Sequence, residues 1–591
     1  MLGLSPWVAL VAFVLAVLAA RLLPAFNTSG VERALNSRWA PVVAGVASGL
    51  VSLWLWGSLS RTPVIHDESA YLLQAQLFAH LRWTGAAPPI PEFFEQLHVL
   101  VDGMLASKYP PGNSLLLTLG VLVGLPGLPV VIMNACAGAL MFVLARRAAG
   151  GAVALLTWIV WQSSFPNIYY HANYMSESVT GLAWLITWWG ILRWRNGDGR
   201  KWLAIAAAAV AWCMITRPVT GLALGVIVLS VVLWRCRSHR AWRDLLPAVS
   251  VAALILAIIP LWSWRTMGNP RVMPLTFYTK LYVPFDKPGF ASSADDRPSP
   301  RLPHDLLRIQ YAFYQEHLHH KISALPSIAW ARIKMIDRDA FYEWRGGLRF
   351  FALIGLLALT LEGWIALAAF VAQFVLYLSY AHPAWWTMYY VECTPVLAFL
   401  IALGMTRVSM WVFSVKSAPS DSATDGSRRL TRAIGAIRNA LTSPIATDGR
   451  RLATATLIIG FAGLVAGVGV TRQVKVTLGQ DHSFYDAFAQ LVGQISGQRA
   501  IVFVRYADQH PDGLSLVRNV PDLERAPVWT VYDRGEDNAR LLALAPDRVP
   551  YLFDEKSWTL KPMNVPRKEE LSRSTAPADS LRVLQAGRRR R

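Results

Sequence analysis

Apolar residues run through this chain in blocks of spanning or near-spanning length, near positions 5–23, 41–59, 128–145, 151–166, 175–192, 202–216, 219–234, 246–264, 349–361, 364–381, 386–405 and 452–470. A straight helix needs about 20 such residues to cross a bilayer core, so the pattern predicts an all-α polytopic membrane bundle of about twelve helices. Short basic connections separate many of the blocks: Arg33 with Arg38, Arg146 with Arg147, and the stretches 193–201, 235–243 and 407–451. The positive-inside rule places them together on the cytoplasmic side. The apolar stretch 113–126 is broken by Gly124 and Pro126 and followed by Gly127 and Pro129. If it spanned, Arg146 and Arg147 would change sides and every later loop would invert, so it is read as a non-spanning or re-entrant helix.

With that choice three long segments share the extracytoplasmic side: 60–127, 265–348 and 471–591. The chain divides into a bundle over 1–470, with the first two segments as its outer loops, and a small soluble extracytoplasmic α/β domain over 471–591. In the latter, 500–506 and 527–532 read as strands. The stretch 414–427, rich in Ser, Asp and Ala, reads as a flexible linker. The first Arg, Arg21, follows the first apolar block instead of preceding it, so that block is expected to stay as a helix with its N-terminus outside.

Composition narrows the class further. Hydrophobic residues make up 54% of the 591 positions and charged residues only 16%, against roughly 25% charged in soluble domains. The net charge of +20 is spread between apolar blocks, which favours a topology signal and anionic-lipid contact over nucleic acid. Cys136, Cys213, Cys236 and Cys393 show neither metal-site nor disulfide spacing.

Polar chemistry collects in the outer segments. Residues 65–71 read Ile-His-Asp-Glu-Ser-Ala-Tyr and open an amphipathic run in which Leu73, Leu77 and Leu81 recur at helical spacing. Asp67 and Tyr71, four apart, share a face, whereas the adjacent Asp67 and Glu68 do not. Asp67 is either a helix cap or a working carboxylate. Further on, Ser107-Lys108-Tyr109-Pro110-Pro111-Gly112 fixes Lys108 on a stiff turn. There it either snorkels or meets a phosphate. A carboxylate and a cation on neighbouring outer loops suit a sugar phosphate presented from the membrane, since displacement at the sugar carbon needs a base for the incoming hydroxyl and positive charge at the leaving group.

The order of these two motifs resembles the polyprenyl-phosphate-dependent membrane glycosyltransferases of the C-type fold (GT-C). That superfamily includes the bacterial lipid A aminoarabinose transferases and the dolichyl-phosphate-mannose protein mannosyltransferases. The resemblance is clearest from His66 to Gly112 and extends loosely to Gly404. It implies a polyprenyl-phosphate-linked sugar as donor, a glycan, lipid or protein acceptor, an outer-face site in the inner or plasma membrane, and inversion at the sugar carbon. It also implies Asp67 as base with Glu68 as a supporting or alternative carboxylate. Donor-phosphate contacts fall to Lys108, Tyr109, Arg217, Tyr389 and Tyr390, and His66, Tyr71, His171 and Glu177 line the substrate. Where the family carries a late Arg-Tyr, this chain has Met388 before Tyr389, a departure.

Other positions carry open readings. Asn173 and Ser176 are as readily caps of the next helix as markers of a site loop. Arg217, at the outer end of a helix, faces a headgroup or the donor phosphate. His317 and His320 have i,i+3 metal spacing without further ligands, and Leu306, Ile309, Phe313 and Tyr314 predict a helix lying on the bundle. Trp385 and Trp386 suit an interfacial belt. No cofactor is expected, with a divalent ion as the alternative. A polysaccharide polymerase or ligase is a second enzyme reading; a transporter or flippase is the alternative from another class, for which Glu362 is the main intramembrane carboxylate and no internal repeat appears.

Overall fold

The computed structural model describes residues 6–22, 29–239, 241–290, 293, 295–342, 345–414, 450–495, 497–511 and 513–563. The 414–427 linker beyond Ser414, which ends a helix, and most of the 407–451 basic stretch lie outside them. Each apolar block falls on a helix: α1 (Val8–Leu22), α3 (Ala40–Trp56) after the short α2 (Ser29–Asn36), α6 (Leu128–Gln162), α8 (Glu177–Arg195), α9 (Lys201–Met214), α10 (Pro218–His239), α11 (Leu245–Leu256), α12 (Ile258–Met267), α16 (Leu348–Leu357), α17 (Leu361–Tyr377), α18 (Thr394–Ser414) and α19 (Arg450–Gly493). Several of these are short. Among the described residues, five helices are long and apolar enough to cross a membrane, or seven if each of two bent pairs, α2–α3 and α16–α17, counts as one span. This measure counts α6 once and leaves out shorter apolar helices such as α1 and α9, so it reaches fewer spans than the twelve expected.

Helix α6 is two helices folded back on each other. Gly150, at φ 87°, breaks it, a backbone conformation that side chains with a Cβ rarely adopt. Ser48 of α3 shows the result: it packs against Gly138 and also accepts a hydrogen bond from Trp158 Nε1 at 3.0 Å. Those two residues would lie about 30 Å apart along a straight helix. The two apolar blocks 128–145 and 151–166 are thus antiparallel neighbours, with Arg146 at the turn donating to the carbonyls of Leu35 and Ser37.

The expected non-spanning stretch is α5 (Gly112–Leu122), only 11 residues long. Its first amide donates to Ile215 O at 2.9 Å, and the amide of Gly127 beyond it donates to Leu59 O at 2.7 Å. Ile215 follows α9 and Leu59 follows α3, so the chain enters and leaves at one end of the bundle. That end, the loop end, also carries α4 (His66–Ala79), α7 (Phe165–Tyr170), α13 (Pro274–Tyr282), α14 (His304–His319) and α15 (Leu325–Ala340). At the opposite, basic end Arg195 pairs with Glu362 at 3.5 Å and Trp194 Nε1 donates to Asp244. Glu362 is thereby half-exposed and paired, not an intramembrane group.

The last part of the chain forms a four-stranded sheet. Two short strands in the first loop, β1 (Val99–Leu100) and β2 (Ala106–Ser107), precede it. The sheet runs β4 (Val528–Tyr532), β3 (Ala500–Arg505), β5 (Val549–Asp554), β6 (Thr559–Pro562), parallel except for β6. Strand β3 is apolar on both faces, as a central parallel strand covered on both sides requires. Ala500, Val502 and Val504 pack with Tyr278, Tyr282 and Leu306 of the second loop and Tyr485 of α19, while Ile501 and Phe503 pack with Phe93 and Phe94 of the first loop and Leu541 of α20 (Asn538–Leu544). The sheet therefore shares its cores with both outer loops. The expected boundary after Val470 falls inside α19, whose 44 residues span about 66 Å and join bundle to sheet as one rod.

Gly112 sits where α5 meets the loop after α9. A Cβ there would stand 2.9 Å from Ile215 O and collide with Thr216 Oγ1, so Gly112→Ala is expected to cost about 1–3 kcal/mol, read as a lower Tm of the detergent-solubilised protein. A second prediction concerns Glu95, which is 1% exposed in the first loop, with Tyr282 Oη at 3.5 Å from one carboxylate oxygen. Burial pushes its carboxyl from 4.5 up to about 7. Between those values the folded chain keeps a proton that the unfolded chain releases, so stability falls as pH rises, by on the order of 3 kcal/mol in full. Melting curves at pH 5 and pH 8 should show this loss, and Glu95→Gln should flatten it.

Candidate active site at the loop end

The site starts from how α4 begins. Glu68, the third residue of the helix, turns back so that one oxygen accepts the amides of Val64 (2.7 Å) and Ile65 (3.2 Å), closing a capping interaction. Its other oxygen accepts the Tyr174 amide at 2.9 Å from the loop before α8. With three amide donors and 3% exposure, Glu68 is a structural carboxylate, which departs from its expected catalytic part. Asp67, one position earlier, points elsewhere. Its Oδ1 accepts the hydroxyl hydrogen of Tyr109, and its Oδ2 lies 3.5 Å from His98 Nε2. The Asp67 side chain stays 32% exposed, so it retains an open face. Burial acts to raise its pKa, but His98, the Tyr109 hydroxyl and Lys108 together hold it below the usual carboxylate range.

Tyr109 is fixed by its neighbours. Its ring stacks on Tyr71 at 4.4 Å and 19°, so the i,i+4 pair Asp67 and Tyr71 grips one phenol from two sides. Gln74 Nε2 donates to its carbonyl at 2.9 Å. Lys108 is 6% exposed, its ammonium 5.0 Å from the Tyr278 ring centre and 5.4 Å from that of Tyr109. Burial lowers its pKa, opposed by Asp286 and Asp67. The snorkelling alternative is thus overturned, since a snorkelling ammonium reaches water.

Asp286, in the loop after α13, stands across Lys108 from Asp67. Its Oδ2 is 3.9 Å from Lys108 Nζ, and its Oδ1 accepts the Tyr380 hydroxyl at 2.7 Å and faces His317 Nε2 at 3.7 Å. Burial raises its pKa, but His317, Lys108 and Tyr380 more than offset this and bring it down to about 2. Two ionised carboxylates, each held by a tyrosine and an imidazole, thus flank one buried ammonium. Tyr389 is within electrostatic reach of Asp67, Asp286 and Tyr109. Arg332 of α15 secures this side by donating to the carbonyls of Tyr377, Tyr380 and His382 at 2.6, 2.8 and 3.3 Å.

Other expected site residues lie apart. Arg217 is spent inside the protein: it donates to Ser176 Oγ at 2.8 Å, to the Met388 carbonyl at 3.0 Å and to Glu177, and lies 3.6 Å from Glu392. Both carboxylates have no exposure. Arg217 and Glu177 therefore form a buried ionic knot, which places neither the expected phosphate ligand nor the expected substrate-lining carboxylate in the open site. The knot still bears on the site, because it grips the residue before Tyr389 and lies 5.6 Å under that ring. Tyr390 turns to His382, 3.2 Å away, and is 3% exposed. His171 faces the bundle interior beside Trp161, in a small cavity with Ser52, Asn134 and Asn167. His66 is 3% exposed, and among the described residues neither ring nitrogen has a hydrogen-bond partner; burial pushes its pKa down to about 3.

Sequence reasoning missed His98, Tyr278, Asp286 and Tyr380. His98 takes φ 69° while its amide donates to Tyr278 Oη at 2.9 Å, a conformation no local pattern announces. Asp286 had a legible signal, an acid between Pro284 and Pro288 in an aromatic stretch. The i,i+3 metal reading fails: His317 faces Asp286 while His320 stacks on Phe290 at 5.2 Å. No group of three or more His, Cys, Asp or Glu able to hold a metal occurs among the described residues.

No family model and no curated protein matches the chain. Solved structures similar to it include ArnT from Cupriavidus metallidurans bound to undecaprenyl phosphate, 17% identical with a TM-score of 0.49, covering 88% of this chain and 91% of that one. Arabinosyltransferase EmbB from Mycobacterium smegmatis is 12% identical with a TM-score of 0.36, over 79% of this chain and 44% of that one. The archaeal oligosaccharyltransferase AglB from Archaeoglobus fulgidus, in complex with an inhibitory peptide and a dolichol-phosphate, is 12% identical with a TM-score of 0.30, over 72% of this chain and 56% of that one.

The two adjacent carboxylates should separate by experiment. Glu68→Gln puts an NH2 group against backbone amides and is expected to cost roughly 1–3 kcal/mol of stability. Asp67→Asn keeps a hydrogen-bond acceptor for Tyr109 but removes a charge that supports Lys108, so its thermal midpoint should also fall, by less in a Lys108→Met background, whereas the Glu68→Gln loss should not depend on Lys108.

Proposed function

We propose that this chain is a membrane glycosyltransferase that moves a sugar from a polyprenyl-phosphate donor to an acceptor at the loop end of the bundle, with Asp67 as general base. The observation that carries the reading is the pairing of a half-open, ionised Asp67 with a buried Lys108 across one tyrosine. The carboxylate is in its proton-accepting form, and the ammonium, shielded from water, interacts strongly with any phosphate brought to it.

In the proposed step the acceptor hydroxyl gives its proton to Asp67 as its oxygen attacks the sugar carbon. The bond from that carbon to the phosphate oxygen breaks, and the electron pair leaves with the polyprenyl phosphate. Attack opposite to the leaving group inverts the carbon. Lys108 meets the negative charge that grows on the departing phosphate, which is where fixed positive charge lowers a barrier most. Tyr109 holds Asp67 in the resting site, and an acceptor hydroxyl that takes its place becomes the donor whose proton Asp67 receives. Tyr389 lies on the side where the donor is held. The polyprenyl chain lies along the apolar bundle, and the acceptor, a glycan, lipid or protein, enters from the loop side.

Transfer of labelled sugar from polyprenyl-phosphate donors in membranes tests the step. Asp67→Asn, at matched abundance, is expected to lower kcat about 10²- to 10⁴-fold. Lys108→Met should lower transfer as well, with weaker binding of the polyprenyl phosphate. Wild-type rates in the Asn variant would remove Asp67 from the chemistry.

A further inference from the structure

Resting on the donor reading above, we infer that Asp286 and His317 form the subsite that recognises hydroxyl groups of the donor sugar and so selects which sugar is transferred. His317 Nδ1 is 2.8 Å from the Phe313 carbonyl oxygen, one turn back on α14. A carbonyl only accepts, so Nδ1 carries the hydrogen. Nε2 faces Asp286 Oδ1 across 3.7 Å, too far for a hydrogen bond, and is buried with no hydrogen-bond partner among the described residues. A group that donates to the carboxylate and also pairs with the imidazole is missing between them.

The remaining contacts of Asp286 say which donor fits. Tyr380 already fills one position on Oδ1 at 2.7 Å, and Lys108 stands 3.9 Å from Oδ2, beyond hydrogen-bonding distance. The Asp286 side chain is 20% exposed, so lone pairs remain open to a ligand. A phosphate is excluded from this spot by the like charge of the carboxylate. Neighbouring sugar hydroxyls suit it, since a hydroxyl donates to Asp286 and either donates to or accepts from His317 Nε2. With the phosphate at Lys108, a sugar attached to it lies within reach of Asp286.

The test compares binding and transfer for Asp286→Asn and His317→Phe, with thermal melts to establish folding and Asp286→Glu as the conservative variant. The probes are polyprenyl phosphate itself and polyprenyl-phosphate glucose, mannose, galactose and arabinose with their monodeoxy analogues. Wild type should bind its preferred sugar-bearing donor more tightly than the sugar-free carrier and discriminate against one or two deoxy analogues. Both variants should lose that discrimination by about 10- to 100-fold, read within each variant as the ratio of sugar-bearing to sugar-free affinity. Asp286→Glu should recover part of it. Variants that keep the discrimination ratio but weaken the sugar-free carrier would overturn the inference and make Asp286 a partner of Lys108 alone. Equal affinity of wild type for sugar-bearing and sugar-free carrier would also remove the subsite. Because the binding arm needs no turnover, failure of the Asp67 base leaves its outcome intact.

Discussion

An ammonium taken out of water must be neutralised where it lies, and much of the loop end is arranged around that requirement at Lys108. Burial of a charge is tolerated only with close opposite charge and aligned dipoles. The chain meets it with two aspartates from different loops and two tyrosine rings, instead of one tight ion pair. Neither carboxylate closes to hydrogen-bonding distance on the ammonium, so both keep lone pairs for other partners. A closed salt bridge would have been a structural element, whereas this looser arrangement leaves room for an anion to enter beside Lys108 without stripping it of all support.

Holding that geometry falls to backbone contacts. The turn before Asp67 is pinned by Glu68 from within and by Arg518 and Tyr485 from the distal chain, which bond the carbonyls of Pro63 and Val64 at 2.6 and 2.5 Å. The approach to His98 is held by Asn519, which donates to the Phe94 carbonyl and to Gln96 Oε1 at 2.8 and 3.0 Å, and by Arg534, which donates to the Glu92 carbonyl. The sheet thus brackets the first loop on both sides of its working residues. On the other flank, Arg332 binds the carbonyls that carry Tyr380, and the Arg217 knot fixes the backbone before Tyr389. Buried arginines here serve as frame, and Arg217, at the end of its helix, spends its donors on Ser176, Glu177 and the Met388 carbonyl.

Much was legible because the bilayer enforces simple rules. The apolar blocks mark helices, and the break at Gly124 and Pro126 marks a helix that turns back, since α5 enters beside Ile215 and leaves beside Leu59. Asp67, Tyr71, Lys108 and Tyr109 could be grouped because short-range spacing and proline stiffness act locally. What was not legible depends on contacts across the chain. Asp286 and Tyr380 come from segments far from either motif, His98 relies on a left-handed backbone, and the fates of Arg217 and Glu177 were decided by Glu392, more than 170 residues from the first of them. The sheet was visible as strands, but its shared cores with Phe93, Phe94 and Tyr282 were not, because pattern alone does not name the partner of an apolar face.

The bracketing contacts also set an order of events during synthesis. Pro63 and Val64 meet partners that lie 455 and 421 positions later in the chain, and Glu92 meets Arg534 at a separation of 442. A ribosome that has delivered the helices before α19 has therefore not yet delivered Tyr485, Arg518 or Arg534. Until those residues emerge, the segment bearing Asp67 has membrane helices beside it but no sheet above it, and the geometry around Lys108 closes late.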